Sequence, residues 1–410
     1  MTPIDHLLLE MVNADASDLH LKVGRKPIVR VDGDLRELSE PVLTTESVME
    51  MVRSMFNERQ IKRFEEEEEL DASYQPASVR DRFRVNVFRR MGEPGVVMRC
   101  IPRAIKSLDD LGFPPVLKTL AHNAQGLVLL TGPTGSGKST TLAAMMRELN
   151  ETEGLHVITI EDPIEFVHDD LRCLINQREV GIDTASFAEA LRRALRQDPD
   201  VILVGEMRDA ETMRIATQAA ETGHLVLSTL HTNDAKQSVD RIVNTFPPDE
   251  QRQVRLKLAT TLRGIVCQSL VPRADGKGRV CIQEIMVNTP FIASLVKDGD
   301  LAKIDDAIRD GEALHGMLSK NKSLFDAWAR GDISKDDAIA FSNRPTDLEI
   351  AIRTAEFERR ESGGAGQGRA ENRGESSRSD ENRGLSSTLS DSSRLPSTLP
   401  PEPKKKFGFF

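Results

Sequence analysis

The stretch Gly132-Pro133-Thr134-Gly135-Ser136-Gly137-Lys138-Ser139-Thr140 decides the fold of this chain. It satisfies the pattern G-x-x-x-x-G-K-[ST]. Its glycines let successive backbone N–H groups converge on a phosphate without Cβ clashes. Lys138 has the reach to touch β- and γ-phosphates, and the Ser139 hydroxyl suits a Mg²⁺ ion. The context agrees, because the apolar run Leu127-Val128-Leu129-Leu130 precedes the loop and a helical stretch from Thr140 to Leu149 follows it. A strand, a phosphate loop and a helix in that order predict an α/β domain that binds a nucleoside triphosphate. Three further short apolar runs lie downstream, at residues 157–160, 201–204 and 225–228, separated by helical stretches at 187–195 and 210–220. Strands that are apolar on both faces and alternate with helices predict a parallel sheet.

Carboxylates end two of these runs. Glu161, Asp162 and Glu165 follow the first, and Gly205-Glu206 follows the second. In phosphoryl-transfer enzymes the strand neighbouring the phosphate loop commonly delivers an acid to the Mg²⁺ shell or to the attacking water. Either group alone is as readily a helix cap or a surface acid; beside a phosphate loop both become catalytic candidates, Glu206 foremost. His224 and His231 bracket the run at 225–228. Isolated histidines are more often structural than catalytic, so a γ-phosphate contact and a purely structural role stand as equals for both.

Upstream, the signals change. Residues 4–12 have helical spacing, whereas 19–23, 28–31 and 83–88 alternate at period two, and Gly92-Glu93-Pro94-Gly95 marks a hairpin whose returning strand begins at Val96. A small α+β domain over 1–101 follows, then a linker at 102–115, an ATPase core at 116–289 and a helical region at 290–359. Ala307, Ile308, Leu324, Ala327 and Trp328 are packing positions in that last region. Arg82, Arg84, Arg89, Arg90 and Arg99 concentrate positive charge in the first domain. A charged sheet face is the plain reading. Phosphate contact is the sharper one, and alternation puts Arg82 and Arg84 on one face, where they can share a target. The run Glu65–Glu69 reads as a solvated helix face.

The whole chain has 410 residues and a net charge of −10, with aromatics at only 4%. That balance argues against a nucleic-acid substrate, whose binders rely on Lys, Arg and stacking rings. Cys100, Cys173, Cys267 and Cys281 form no Cys-x-x-Cys pair, which argues against a structural zinc cluster and for a reducing compartment. No secretory leader pattern opens the sequence, and no apolar run nears the ~20 residues a membrane span needs. A cytoplasmic protein is expected. Residues 360–410, rich in Ser, Gly, Pro, Asn and Arg with the near repeat 371–377 and 381–387, read as a disordered tail ending in Lys404-Lys405-Lys406-Phe407-Gly408-Phe409-Phe410.

Taken in order, the motifs resemble the secretion-type hexameric ATPases of type IV pilus systems, and within them the PilT/PilU-like twitching motility branch. The resemblance rests on residues 16–20, 82–86, the phosphate loop, 159–166, 176–180, 198–209 and 220–226. It implies a PAS-like N-terminal domain joined to a RecA-like ATPase core in a ring of six. It implies ATP and Mg²⁺ as ligands, Glu161 and Glu165 as an acidic box, and Glu206 as the Walker B glutamate. His224 and His231 become a histidine box, and Arg84 and Arg99 become arginines that close over the nucleotide. Expected partners are the inner-membrane pilus platform protein and a related retraction ATPase, at the cytoplasmic face of the inner membrane. Assembly ATPases of the family carry a tetracysteine zinc motif that this chain lacks, which favours retraction. The segment Phe291-Ile292-Ala293-Ser294-Leu295-Val296-Lys297 stands where the PilT subgroup has Ala-Ile-Arg-Asn-Leu-Ile-Arg, a departure similar to the PilU subgroup. An accessory subunit of a main retraction motor is therefore the alternative to an independent motor.

Overall fold

The computed structural model describes residues 2–31, 33–76, 81–101 and 104–364. The tail expected over 360–410 lies, from residue 365 on, outside the described residues. The chain opens with α1 (Pro3–Asn13), β1 (Asp18–Lys22), β2 (Ile28–Val31), β3 (Asp34–Glu37), α2 (Thr45–Met55), α3 (Glu58–Glu67), β4 (Glu69–Tyr74), β5 (Arg82–Arg90) and β6 (Glu93–Ile101). It continues with α4 (Val116–Ala121), β7 (Gly126–Thr131), α5 (Lys138–Thr152), β8 (His156–Glu161), β9 (Leu174–Glu179), α6 (Phe187–Ala194), β10 (Val201–Val204), α7 (Ala210–Glu221) and β11 (Leu225–Leu230). Then come α8 (Ala235–Asn244), α9 (Gln251–Thr261), β12 (Leu262–Pro272), β13 (Arg279–Val287), α10 (Pro290–Asp298) and α11 (Ile304–Asp310). The helices α12 (Glu312–His315), α13 (Lys320–Ala329), α14 (Lys335–Phe341) and α15 (Pro345–Gly364) complete it. The described residues up to Arg353 form one compact unit, and those from Thr354 on fall outside it.

The first sheet is antiparallel throughout, in the order β3-β2-β1-β6-β5-β4. Its inner face closes over α1 and α2, whose apolar stripes Ile4, Leu8, Met11 and Val48, Val52 are buried with Phe83, Val85 and Val87 of β5. The hairpin between β5 and β6 is tighter than its glycines suggest. Met91 and Gly92 alone form the turn, both at positive φ (53° and 82°), and the returning strand resumes at Glu93 rather than Val96. Gly95 lies inside that strand because a Cβ there would fall 2.8 Å from the Phe88 ring opposite it. The acidic run at 65–69 is split. Its first half ends α3, Glu68 takes a left-handed conformation, and Glu69 begins β4.

The second sheet runs β13-β12-β7-β11-β10-β8-β9, with every neighbouring pair parallel except β12 and β13. The fold is α/β, as the apolar runs predict. Period-two alternation divides each run between two cores. Leu127, Leu129, Ile158, Ile160, Ile202 and Val204 face one side, while Val128, Leu130, Val157, Val201 and Leu203 face the other. The carboxyl ends of β7, β8, β10 and β11 therefore open at the same edge, where ligands of open α/β sheets bind. β10 is not the neighbour of β7, because β11 is inserted between them. The helical region packs as expected: Ala307 and Ile308 join the main core, and Leu324 and Ala327 join a smaller one with Val271, Ile282, Leu348 and Ile352 against which Trp328 rests. No helix among the described residues is long and apolar enough to cross a membrane.

Candidate active site

The phosphate loop joins the end of β7 to the start of α5. Gly132 sits at φ +140°, and a Cβ there would lie 2.3 Å from the Gln268 carbonyl of β12, so the loop can cross that strand only as glycine. α5 follows Gly137, itself at φ +91°, without any side-chain cap. Most of the longer helices are capped by a Thr, Ser, Asn or Asp side chain, among them Thr44 on α2, Asp209 on α7 and Asp234 on α8. The uncapped N–H groups of α5, with the positive end of its dipole, form an anion seat. Ser136 Oγ, buried in the loop, has no hydrogen-bond partner. The Lys138 ammonium donates to the carbonyls of Gly132 (2.8 Å) and Pro133 (3.0 Å). Burial lowers its pKa, against the upward pull of Glu165 and Glu206.

Around this loop lies a cleft of about 630 Å³. It is lined by Thr134, Gly135, Gly137, Lys138, Ser139 and Thr140, by Glu161, Glu165 and Glu206, by His231, and by Arg84 from β5. Glu206 follows the tight Gly205, whose carbonyl accepts from Thr229 Oγ1 at 2.6 Å. The Glu206 carboxylate is paired with Arg208 and lies 3.3 Å from His231 Nε2. Glu161 is held differently. It accepts from Thr159 Oγ1 (2.6 Å), Gln177 Nε2 (3.1 Å) and the Glu165 backbone N–H (3.4 Å), and burial raises its pKa in spite of those donors. It braces the turn that presents Glu165.

The histidine pair is divided. His231 stands at the carboxyl end of β11, inside the cleft, whereas His224 stands before the strand's first residue with Nδ1 3.0 Å from the Ala219 carbonyl. Six strand residues, roughly 20 Å, lie between them, so His224 is not brought to this chain's cleft. The arginines divide as well. Arg84 lines the main cleft, while Arg99 lines only an adjoining cavity of about 430 Å³, with Asp18, Thr140, Glu165 and Phe166. Arg99 Nε donates to Asp18 at 2.8 Å. Against the upward push of burial, the Ser17 hydroxyl and Arg99 hold the Asp18 carboxyl below its ordinary value. Arg82 and Arg84 do not share a target, for Arg82 turns to Glu179 at 2.8 Å.

Two buried glutamates escape a reading of the residues alone. Glu179 ends β9. Glu284, in the middle of β13, accepts from the Ala235 N–H (2.9 Å) and so fixes the first turn of α8 behind His231. A charged residue amid the apolar run 280–287 was the available signal. Burial pushes Glu284 up to about 7, with Asp234 and Asp305 adding and Lys320 opposing. Its folded pKa thus exceeds the ordinary 4.5, so the folded chain holds the proton through that window. The group costs nothing below pH 4.5; stability falls as pH rises from there to about 7 and levels off above it. Relative to wild type, Glu284→Gln should therefore gain up to about 3 kcal/mol of unfolding free energy between pH 4.5 and 8. Parallel pH profiles of the two denaturation midpoints would refute this.

Fold and cleft together define a P-loop ATPase. Residues 1–297 match the family described as Type II/IV secretion system protein, and the chain belongs to it. It is 48% identical over 335 residues to the type IV pilus retraction ATPase PilT of Pseudomonas aeruginosa, covering 82% of this chain and 96% of the relative. It is 40% identical over 349 residues to the type IV pilus ATPase PilU of the same organism, covering 85% and 91%. Among solved structures it is similar to the pilus retraction motor PilT with bound ADP, with a TM-score of 0.77 and 42% identity over 84% of this chain and 98% of that one. The chain is an ATP-hydrolysing enzyme of this family.

Proposed function

We propose that this ATPase powers or assists the retraction of type IV pili, and so twitching motility, as a ring of six at the cytoplasmic base of the inner-membrane pilus platform. The observation that carries the reading is the cleft, where an uncapped helix N-terminus and Lys138 face Glu161, Glu165 and Glu206 beneath an arginine from the N-terminal domain. The names of the relatives, a retraction ATPase and a pilus ATPase, support the process. In this reading residues 1–101 form the mobile N-terminal domain, 102–115 the linker, 116–289 the ATPase core, 290–359 a helical region and 360–410 the tail.

ATP is the substrate, and the backbone of residues 132–140 with Lys138 binds its phosphates. The donors near the loop are oxygens, which suit a hard divalent cation. Ser139 and Glu206 are the residues that would hold Mg²⁺, directly or through water, and the ion would neutralise charge on the β- and γ-phosphate oxygens. Glu206, with Glu161 or Glu165 in support, orients or deprotonates the attacking water. His231 steadies Glu206. Arg84 contacts nucleotide from the N-terminal domain, with Arg99 behind it, so that nucleotide state is read as domain closure. His224 lies outside the chain's own cleft.

The accessory alternative has one observation in its favour: the substituted segment lies on α10, with Phe291 56% exposed. A strain lacking this chain tests the process, and excess non-retracting pili are expected. Loss of pili would overturn retraction in favour of assembly. Steady-state hydrolysis by the purified chain, alone and mixed with a main retraction ATPase, separates motor from accessory subunit.

A further inference from the structure

Glu179 is 1% exposed, yet it is a charged residue at the junction between the two sheets. From the N-terminal sheet, Ser73 Oγ on β4 lies 2.9 and 2.8 Å from its two oxygens, and Arg82 Nη2 on β5 donates to Oε2 at 2.8 Å. Arg82 Nη2 also donates to Ser73 Oγ at 2.5 Å, which closes a triangle. From the core, the backbone N–H of Ile164 donates to the same Oε2 at 3.3 Å. Ile164 lies in the turn between Glu161 and Glu165, and Glu179 stands opposite Glu161 in the β8–β9 register. One carboxylate thus joins the N-terminal domain to the turn that presents acids to the cleft.

Stability alone does not account for such a group. A buried ion pair roughly breaks even with apolar side chains of the same volume. This one is also incomplete, because Arg82 Nε is buried without a partner and the guanidinium meets Glu179 through one nitrogen where a paired fork would use two. What the triangle does provide is position. Arg84, two residues along the same strand, lines the cleft, so the seating of β5 sets both the arginine and, through Glu179, the acidic turn.

We propose that Arg82, Ser73 and Glu179 form a latch of positioning residues through which the N-terminal domain sets the geometry of the Glu161–Glu165 turn, and so the rate of ATP hydrolysis. This rests on the proposed role of that turn. With the domain seated, the Ile164 N–H is held and Glu165 faces the Lys138 loop. When the domain moves, the turn loses its anchor. Turnover, rather than nucleotide affinity, then depends on the contact.

The test uses the full chain with Mg²⁺ and ATP, reading kcat, KM, ADP affinity and thermal midpoint. Since small displacements at a reacting centre cost up to about a hundredfold, Arg82→Gln and Glu179→Gln should each lower kcat about tenfold or more, with KM and ADP Kd within about twofold. The double variant should be no slower than the worse single one, because both remove one interaction. Arg82→Lys, which keeps the charge, should recover most of the rate. Losses that multiply in the double variant, ADP affinity falling in step with kcat, or an Arg82→Gln rate within about twofold of wild type would each overturn the latch. Should the glutamine variants fail to fold, Ser73→Ala decides: a kcat drop at unchanged KM supports the latch, and an unchanged kcat overturns it. Lys138→Ala in the same assay separates the two levels of the argument. Its inactivity with normal latch variants refutes the latch alone, and its activity refutes the cleft.

Discussion

Lys138→Ala is expected to abolish ATP hydrolysis in a chain that still folds. Lys138 opens α5, where alanine is the best helix former, so the substitution adds no local backbone cost. Lys138 is 9% exposed, and its ammonium is held over the loop by the carbonyls of Gly132 and Pro133. Among the described residues those carbonyls are the partners its charge has at hydrogen-bond distance, while Glu165 and Glu206 act on it from across the cleft. A cation so placed is directed at charge arriving in the loop. In a low-dielectric cleft the loss of one such preorganised donor costs about 10²–10³ in kcat, and a full charge should cost at least the upper figure. Phosphate release by the purified variant, with its circular dichroism and assembly state as controls, reads the result. Normal hydrolysis by a folded Lys138→Ala chain would remove this cleft as the seat of the reaction.

Most of that cleft was legible because its residues announce themselves by local order. The loop reads from glycine spacing, and the carboxyl ends of apolar runs read from hydropathy, so Lys138, Glu161 and Glu206 were found together. What the linear order conceals is how strands are shuffled. The insertion of β11 between β7 and β10 puts His231 beside Glu206 and at the same time carries His224 to the far edge, although the two flank the same short run. No spacing distinguishes them, since the distinction is the direction of a strand. Arg82 and Arg84 share a face of β5, as alternation requires. They part because Arg82 lies at the strand's start, against β9, where only the packing of one sheet on another supplies Glu179. Buried carboxylates are the general failure here. Glu179 and Glu284 look like surface glutamates until tertiary structure encloses them, and only the apolar neighbours of Glu284 hint otherwise.

Glu206→Gln should be the second largest loss, a fall in kcat of about 10²–10³ with nucleotide binding retained, in the range expected when a positioned acid or base is removed. The amide keeps the size of the carboxylate and can still meet His231, so the end of β10 need not move. What disappears is the negative charge that pairs with Arg208 and faces Lys138. The comparison with Glu161→Gln assigns the base. Glu161 already accepts three hydrogen bonds, and burial favours its protonated form, which suits a brace better than a group that must take a proton from water. Its loss should therefore cost less than that of Glu206, and should also lower the thermal midpoint because an amide nitrogen replaces one of the two oxygens that accept from Thr159, Gln177 and the Glu165 N–H. Single-turnover rates at saturating ATP make the comparison free of product release. If Glu161→Gln proves the slower of the two at equal nucleotide occupancy, the base belongs to the turn on β8, and Glu206 is left with the metal and His231.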